Sequence, residues 1–242
     1  MNNYFGNGSI IEQAGARVQT YMSHVYGWMT VGLVLSGLVA WYASTSSQVI
    51  QLLFNVTPQG VSLSGFSWFL FIAEIGLVFV LSGMINRLSG SMATTLFMLF
   101  SVVNGLSLTP IFLAYTHSSI ASVFFITAGM FAALSFYGYS TKRDLTAVGR
   151  FLFMGLIGIV IASIVNIFMK SEPLMWAMTY IGVFIFAGLT AYDTQKLKNI
   201  GMNISSDDSN VFRRFVILGA LTLYLDFINL FIMLLRILGD RR

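Results

Sequence analysis

Seven long apolar runs, separated by mostly short connections, decide what this chain can fold into. They are Val25–Tyr42, Phe66–Ile85, Ala93–Tyr115, Ser118–Tyr139, Phe151–Met169, Leu174–Tyr192 and Val216–Leu235. A helix that crosses a bilayer needs about 20 apolar residues, and each run is of that order. None shows the short alternating pattern of a membrane β-barrel strand. Charge is scarce enough to close the soluble alternatives: 13 Lys+Arg and 9 Asp+Glu make 9% of the 242 residues, against about 25% in an ordinary soluble domain. A soluble surface cannot be covered with so little charge, and a disordered chain would not hold 57% apolar residues. The expected fold is all-α, a polytopic helix bundle with seven transmembrane helices. Residues 1–24 read as an N-terminal tail and 25–242 as one membrane domain.

Several chemistries drop out with this architecture. Seven spans use about 140 residues, which leaves no room for a separate soluble catalytic domain. With 0 Cys there are no disulfides, Fe–S clusters, thiolate zinc sites or Cys nucleophiles. No HExxH, P-loop or GxSxG string occurs, and His24 and His117 stand singly near span ends. No cofactor and no stable metal site are expected. A net charge of +4, spread along the chain, does not suit nucleic-acid binding.

The basic residues set an expected orientation. Arg17, Arg87, Lys142, Arg143, Arg150, Lys196, Lys198, Arg213 and Arg214 fall on one side of a seven-span topology. Lys170, Arg236, Arg241 and Arg242 fall on the other, and the long Ala43–Gly65 connection has no charge. This asymmetry puts the N-terminus in the cytoplasm. It also leaves three arginines outside at the C-terminal end, which a re-entrant last segment would avoid. Val216–Leu235 is long enough to cross, so seven full spans are the preferred reading. Small residues at helical spacing, Gly32 with Ser36 and Gly155 with Gly158, are expected to let helices approach closely in lipid.

Ionisable groups inside a span are expensive and are functional candidates by default. Three acids qualify: Glu74 in the second run, Asp193 at the cytoplasmic end of the sixth, and Asp226 midway along the seventh. Asp193 is followed by Lys196 and Lys198, so an interfacial ion pair is the plain alternative for it. Asp226 lies ten residues into its run, about 15 Å at 1.5 Å per residue, with Asn229 on the same helical face. A carboxylate at that depth must be neutral, paired or facing water. Arg87, expected at a depth similar to Asp193, is a candidate partner. Asn104, Pro110 and Asn166 read as groups that satisfy a neighbour or relieve a kink.

Four segments resemble the transmembrane Bax inhibitor motif family. Ala191-Tyr192-Asp193-Thr194-Gln195 is similar to its sixth-helix signature, and Tyr224-Leu225-Asp226-Phe227-Ile228-Asn229-Leu230-Phe231 to its seventh. Asn104-Gly105-Leu106-Ser107-Leu108-Thr109-Pro110 resembles its third-helix segment, and Thr141-Lys142-Arg143-Asp144-Leu145 its basic loop after the fourth helix. Tyr21–Leu33 looks like the branch found in bacterial inner membranes. The resemblance implies a pH-sensitive calcium leak in which Asp193 and Asp226 form a hydrogen-bonded sensor. It also implies a latch arginine on the second helix, for which Arg87 is the candidate. Asn229 and Glu74 become candidate pathway-lining groups. Calcium would be a transported ion, met transiently at Asp193 and Asp226, and the partners would be the lipid bilayer, calcium and other membrane proteins.

Two other classes compete. An intramembrane aspartyl protease also places one Asp on each of two helices, and Tyr192-Asp193 fits its first string. Its second string needs Gly-x-Gly-Asp, whereas Leu223-Tyr224-Leu225-Asp226 lacks both glycines. A non-transporting regulator that binds another membrane protein, such as a membrane protease, would share the same composition as a leak. The expectation is a non-enzyme.

Overall fold

The computed structural model describes residues 4–57, 60–204 and 208–242. The elements run α1 (Tyr4–Thr45), α2 (Ser47–Leu53), β1 (Phe54–Thr57), β2 (Gly60–Leu63), α3 (Gly65–Gly83), a 3-10 turn (Ile85–Arg87), α4 (Gly90–Ser107), α5 (Thr109–Ala114), α6 (His117–Ser140), α7 (Thr146–Met169), α8 (Glu172–Asn203) and α9 (Ser209–Leu238). Among the described residues, seven helical stretches are long and apolar enough to cross a membrane. The third of them is α4 followed by α5, and the fold is all-α apart from one short hairpin. The segment before Val25 is helical from Tyr4 and runs into the first span without a break; residues 1–3 lie outside the described residues.

Contacts divide the chain into two compact units, and α1 and α9 each contribute to both. The first unit holds the start of α1, all of α6, α7 and α8, and α9 from Thr222. In it, α8 packs against α6 and against α7. The sequence places the sixth span at Leu174–Tyr192, but the helix continues to Asn203. Asp193, Thr194, Gln195, Lys196 and Lys198 lower the hydropathy there without containing any helix breaker. Asp193 is therefore ten residues inside the helix, not at its end. The α6–α7 connection closes with an Asx turn, in which Asp144 Oδ1 accepts from Thr146 N at 2.8 Å. Its carboxyl is held below the usual aspartate range, first by the Thr146 hydroxyl, then by the Thr146 backbone N–H, with Arg150 adding to both. A lowered pKa means the turn's contribution is present above the ordinary Asp range and lost as pH falls through the folded value.

The second unit holds α1 from Ser23, everything through Thr116, and α9 up to Leu221, together with Arg241–Arg242. Gly32 sits where a Cβ would strike Phe97, and Ser36 Oγ donates to Ser101 O at 2.7 Å. The small residues of α1 thus serve close packing on α4, as their spacing predicts. The uncharged connection after α1 folds as α2 and an antiparallel hairpin pairing Phe54 with Leu63 and Thr57 with Gly60. Gly60 has φ +136°, a conformation that L side chains rarely adopt. Ser64 caps α3 by accepting from Ser67 N, and Ser67 Oγ returns to Leu53 O at 2.6 Å. Pro110 opens α5, so the third span is broken at Leu108–Thr109.

This unit also decides how the seventh segment runs. Near its start, Arg213 Nε donates to Thr94 Oγ1 at 3.0 Å and Arg214 Nη1 to Asn86 O at 2.7 Å, both at the Gly90 end of the third span. Beyond its end, Arg242 N donates to Ala114 O at 2.9 Å, and Arg241 bridges Tyr115 with its guanidinium over the ring. These contacts lie at opposite ends of the Gly90–Ala114 span. The helix between them has 30 residues, about 45 Å at 1.5 Å per residue. The last segment crosses, and the re-entrant alternative does not hold.

The first unit gives the same result, since Asp240 N bonds Ser119 Oγ at the start of α6 while Lys142 follows the end of α6. In this cysteine-free chain, Lys142→Cys and Asp240→Cys should react with an impermeant maleimide from opposite sides of the membrane. Labelling from one side alone would mean that α9 does not cross.

Candidate functional site: a carboxyl pair between two spans

The site is built on α8, whose two flanks are cut away to let other helices close. A Cβ on Gly138 of α6 would collide with the Ala191 carbonyl, and one on Gly149 of α7 with the Tyr192 ring. Gly188 likewise receives Leu152 of α7. These three contacts fall on the stretch of α8 just before Asp193. Two polar contacts then fix its rotation and height. Thr194 Oγ1 donates to Ser135 Oγ of α6 at 3.2 Å. The Gln195 amide spans the α6–α7 connection, accepting from Leu145 N at 2.9 Å and donating to Arg143 O at 2.8 Å. Leu145 is the N-cap of α7 and its side chain offers no cap of its own. Gln195 therefore supplies a partner for one of the N–H groups that a helix start leaves open.

On α9, Asp226 is held by packing of a different kind. Phe227 meets Phe124 and Phe131 of α6 edge-on, with centroids 5.3 and 5.5 Å apart. Phe231 meets Phe124 at 6.1 Å. Gly182 of α8 lies against Met233, which brings α8 and α9 together one side of the acids.

Between these supports the two acids meet. The Asp193 and Asp226 side chains hydrogen-bond to each other, and both residues are buried, 8% and 5% exposed. A carboxyl–carboxyl hydrogen bond needs a proton between the two groups, because two carboxylates have no donor to offer. Asp226 Oδ2 has no partner. Lys196, one turn from Asp193, is the cation whose charge reaches both acids; its side chain is exposed, so water screens it. Lys198 is used elsewhere: Nζ donates to Tyr139 O at 2.7 Å and lies 5.1 Å from that ring's centroid. The lysine pairing that sequence offers as the plain reading of Asp193 gives way to the pairing with Asp226.

A family model described as "Inhibitor of apoptosis-promoting Bax1" matches residues 18–242. The chain belongs to the Bax inhibitor family. It is 59% identical over 238 residues to "Inner membrane protein YbhL" of Escherichia coli, covering 98% of this chain and 99% of that protein. It is 40% identical to "Uncharacterized protein RP147" of Rickettsia prowazekii, over 93% and 91% of the two chains. A membrane protein of Streptococcus pyogenes, M6_Spy0327, is 34% identical over 95% and 96%.

The other candidates of this family member fall elsewhere. Asn229 Nδ2 donates to Leu225 O of its own helix at 2.8 Å, so its amide is turned back along α9. Glu74 is half-buried on α3 and accepts from Asn104 Nδ2 at 3.1 Å, with a second side-chain hydrogen bond to Ser107. Arg87 is exposed on the 3-10 turn after α3 and makes no ion pair among the described residues. Asn166 Oδ1 accepts from Ser171 N at 2.9 Å and closes the end of α7. Sequence reasoning passed over Gln195 and Ser135. Gln195 stands in the sixth-helix signature, but its task depends on where the α6–α7 connection lies.

The glycine contacts generate a stability prediction. Gly138→Ala should push α6 from α8 and cost about 1–3 kcal/mol by overpacking. Gly158→Ala, where a Cβ meets nothing within 4 Å, should leave stability unchanged or slightly raised by better helix propensity. Thermal unfolding in detergent distinguishes the two, and equal effects would mean that the α6–α8 approach is not tight.

Proposed function

We propose that the protein is a pH-sensitive calcium leak of the bacterial inner membrane, gated by the Asp193–Asp226 pair. The observation that carries this reading is the hydrogen bond between two buried carboxyls well inside two membrane helices. Groups this close lose their protons in two linked steps that belong to the pair. With one proton shared, the bond ties α8 to α9. With none, two negative charges lie side by side and repel, and either helix separation or a cation relieves them. Calcium suits the second route because it prefers carboxylate and amide oxygens. Asp193 and Asp226, with the Asn229 amide if it turned from Leu225, supply fewer ligands than the six to eight that hold calcium firmly. That deficit fits an ion in transit.

Location and direction follow by the same kind of argument. The Escherichia coli relative is described as an inner membrane protein, and the nine-to-four distribution of basic residues argues for a cytoplasmic N-terminus. Arg87 is proposed as the latch, a basic group competing for Asp193. Glu74, the third intramembrane acid, lies on α3 and is bonded there by Asn104 and Ser107. No phosphate-binding string is present to couple flux to nucleotide hydrolysis, so passage runs down the gradient, and the protein acts as no enzyme.

The test is calcium flux from pure protein in liposomes, followed from about pH 5 to about pH 8. Asp193→Asn and Asp226→Asn should each flatten the pH dependence, and the double variant should add little, because coupled neighbours are not additive. Arg87→Gln should shift the flux level and leave the titration in place. Additive effects of the two aspartate changes would remove the paired gate. No flux from folded protein would favour the regulator reading, and cleavage of transmembrane peptides lost in Asp226→Ala would favour a protease.

A further inference from the structure

Glu74 is the acid that the aspartate pair does not account for. It lies ten residues into α3, about 15 Å along the helix, and is half-buried. Its two hydrogen bonds come from Asn104 and Ser107 of α4, neutral groups both. The α3 helix packs on α2, β2, α4 and the 3-10 turn. Glu74 is the sole charged residue of α3, and α2, β2, α4 and α5 contain none. The nearest charged residue on any of these elements in sequence is Arg87, thirteen positions on and past the end of α3, exposed. No cation therefore neutralises Glu74 from the elements packed against it.

The partners of Glu74 also mark a special place. Ser107 is the last residue of α4, immediately before the break that Pro110 imposes on the third span. Two residues on, at the same break, the Thr109 hydroxyl is fully buried and has no partner. A discontinuous membrane helix with an acid beside it is the arrangement in which ions and protons are commonly held within bilayers. Its chemistry here is narrow. One carboxyl, one amide and one hydroxyl are too few for a hard divalent cation. They suffice for a proton: the carboxyl takes it up to become neutral, and Asn104 and Ser107 support the charged form when it leaves.

We propose that Glu74, set against the break in the third span by Asn104 and Ser107, is an exchangeable-proton site of its own, working independently of the Asp193–Asp226 pair. It stands apart from the calcium reading and survives if that reading fails. Because Glu74 is only half-buried, its protonated form is open to a lipid-soluble reagent.

Dicyclohexylcarbodiimide adds to protonated carboxyls in apolar surroundings, and its N-acylurea product is located by mass spectrometry of peptides. Wild-type protein in liposomes, labelled from about pH 5 to about pH 9, should carry the adduct at Glu74, with yield falling as pH rises. Glu74→Gln should abolish that adduct. Asn104→Leu removes a donor that supports the charged form, so the midpoint should move up by about one pH unit, a tenfold change in proton affinity. Asp193→Asn and Asp226→Asn should leave the Glu74 profile unmoved. Absence of a Glu74 adduct from wild-type protein at every pH, or a yield that ignores pH, overturns the proposal. A Glu74 profile displaced by either aspartate change overturns its independence.

Discussion

Hydrocarbon offers a polar group nothing to bond to, and this one constraint organises the whole molecule. The backbone meets it by forming helices, in which each segment satisfies itself. Short hydroxyl side chains meet it by folding back on the preceding turn: Thr30 to Tyr26 O, Thr94 to Gly90 O, Thr127 to Val123 O, Thr190 to Phe186 O. Where a span ends or breaks, the partner must come from another element. Asn210 accepts from Gly90 N at the start of the third span, Gln195 from Leu145 N before α7, and Ser171 N is taken by Asn166 at the end of α7.

Packing follows from the same medium. Lipid tails are as apolar as leucine, so no hydrophobic force draws one span to another, and close fit has to do it. That explains why glycine clusters at the α8 contacts, where Gly138, Gly149 and Gly188 each admit a neighbour that a Cβ would exclude. It explains also why α7 differs so much from α8. Phe151, Met154, Ile161 and Phe168 of α7 are exposed and supply a lipid-facing surface. On α8, no residue from Ile185 to Gln195, about three turns, is exposed. A run buried all round on a helix is a run with protein on every side.

This difference in duty separates what the sequence reveals from what it hides. Spans are legible because twenty apolar residues have one meaning in a bilayer and because proline and charge mark their limits. The end of α8 is not legible, since Asp193, Thr194, Gln195, Lys196 and Lys198 break the apolar run while the helix continues, and the burial of Asp193, Thr194 and Gln195 depends on helices distant in sequence. The hairpin after α1 is hidden for another reason: Phe54–Leu63 is too short for a periodic signal, and its uncharged composition reads as more connection. Asp193 and Asp226 stand out by depth and by their resemblance to a family signature, but their contact is a tertiary fact. They are 33 positions apart in the chain, and only the placement of α8 against α9 makes them neighbours. Arg213 and Arg214 show the converse, because basic residues that read as plain topological anchors turn out to tie α9 to Thr94, Asn86 and Leu88.

The protein uses two physically different ways to hold an acid in hydrocarbon. Asp193 and Asp226 are each other's partner, so the proton that neutralises one also bonds it to the other, and removing that proton converts attraction into repulsion. In the proposed gate, protonation would be coupled to the distance between two helices, with the response shared between both groups. Glu74 has neutral donors from α4 instead. Losing its proton leaves a charge that Asn104 and Ser107 still bond, with no second acid to repel it, so no force drives α3 from α4. On the proposed reading, the first arrangement would turn a proton into a mechanical event, and the second would keep protonation local. Replacing either aspartate by asparagine removes repulsion while preserving the capacity to hydrogen-bond, so the proposed gate should lose its pH response before its fold. A lone acid on neutral donors gives one titration step, and that difference in form identifies which acid a measured pH dependence belongs to.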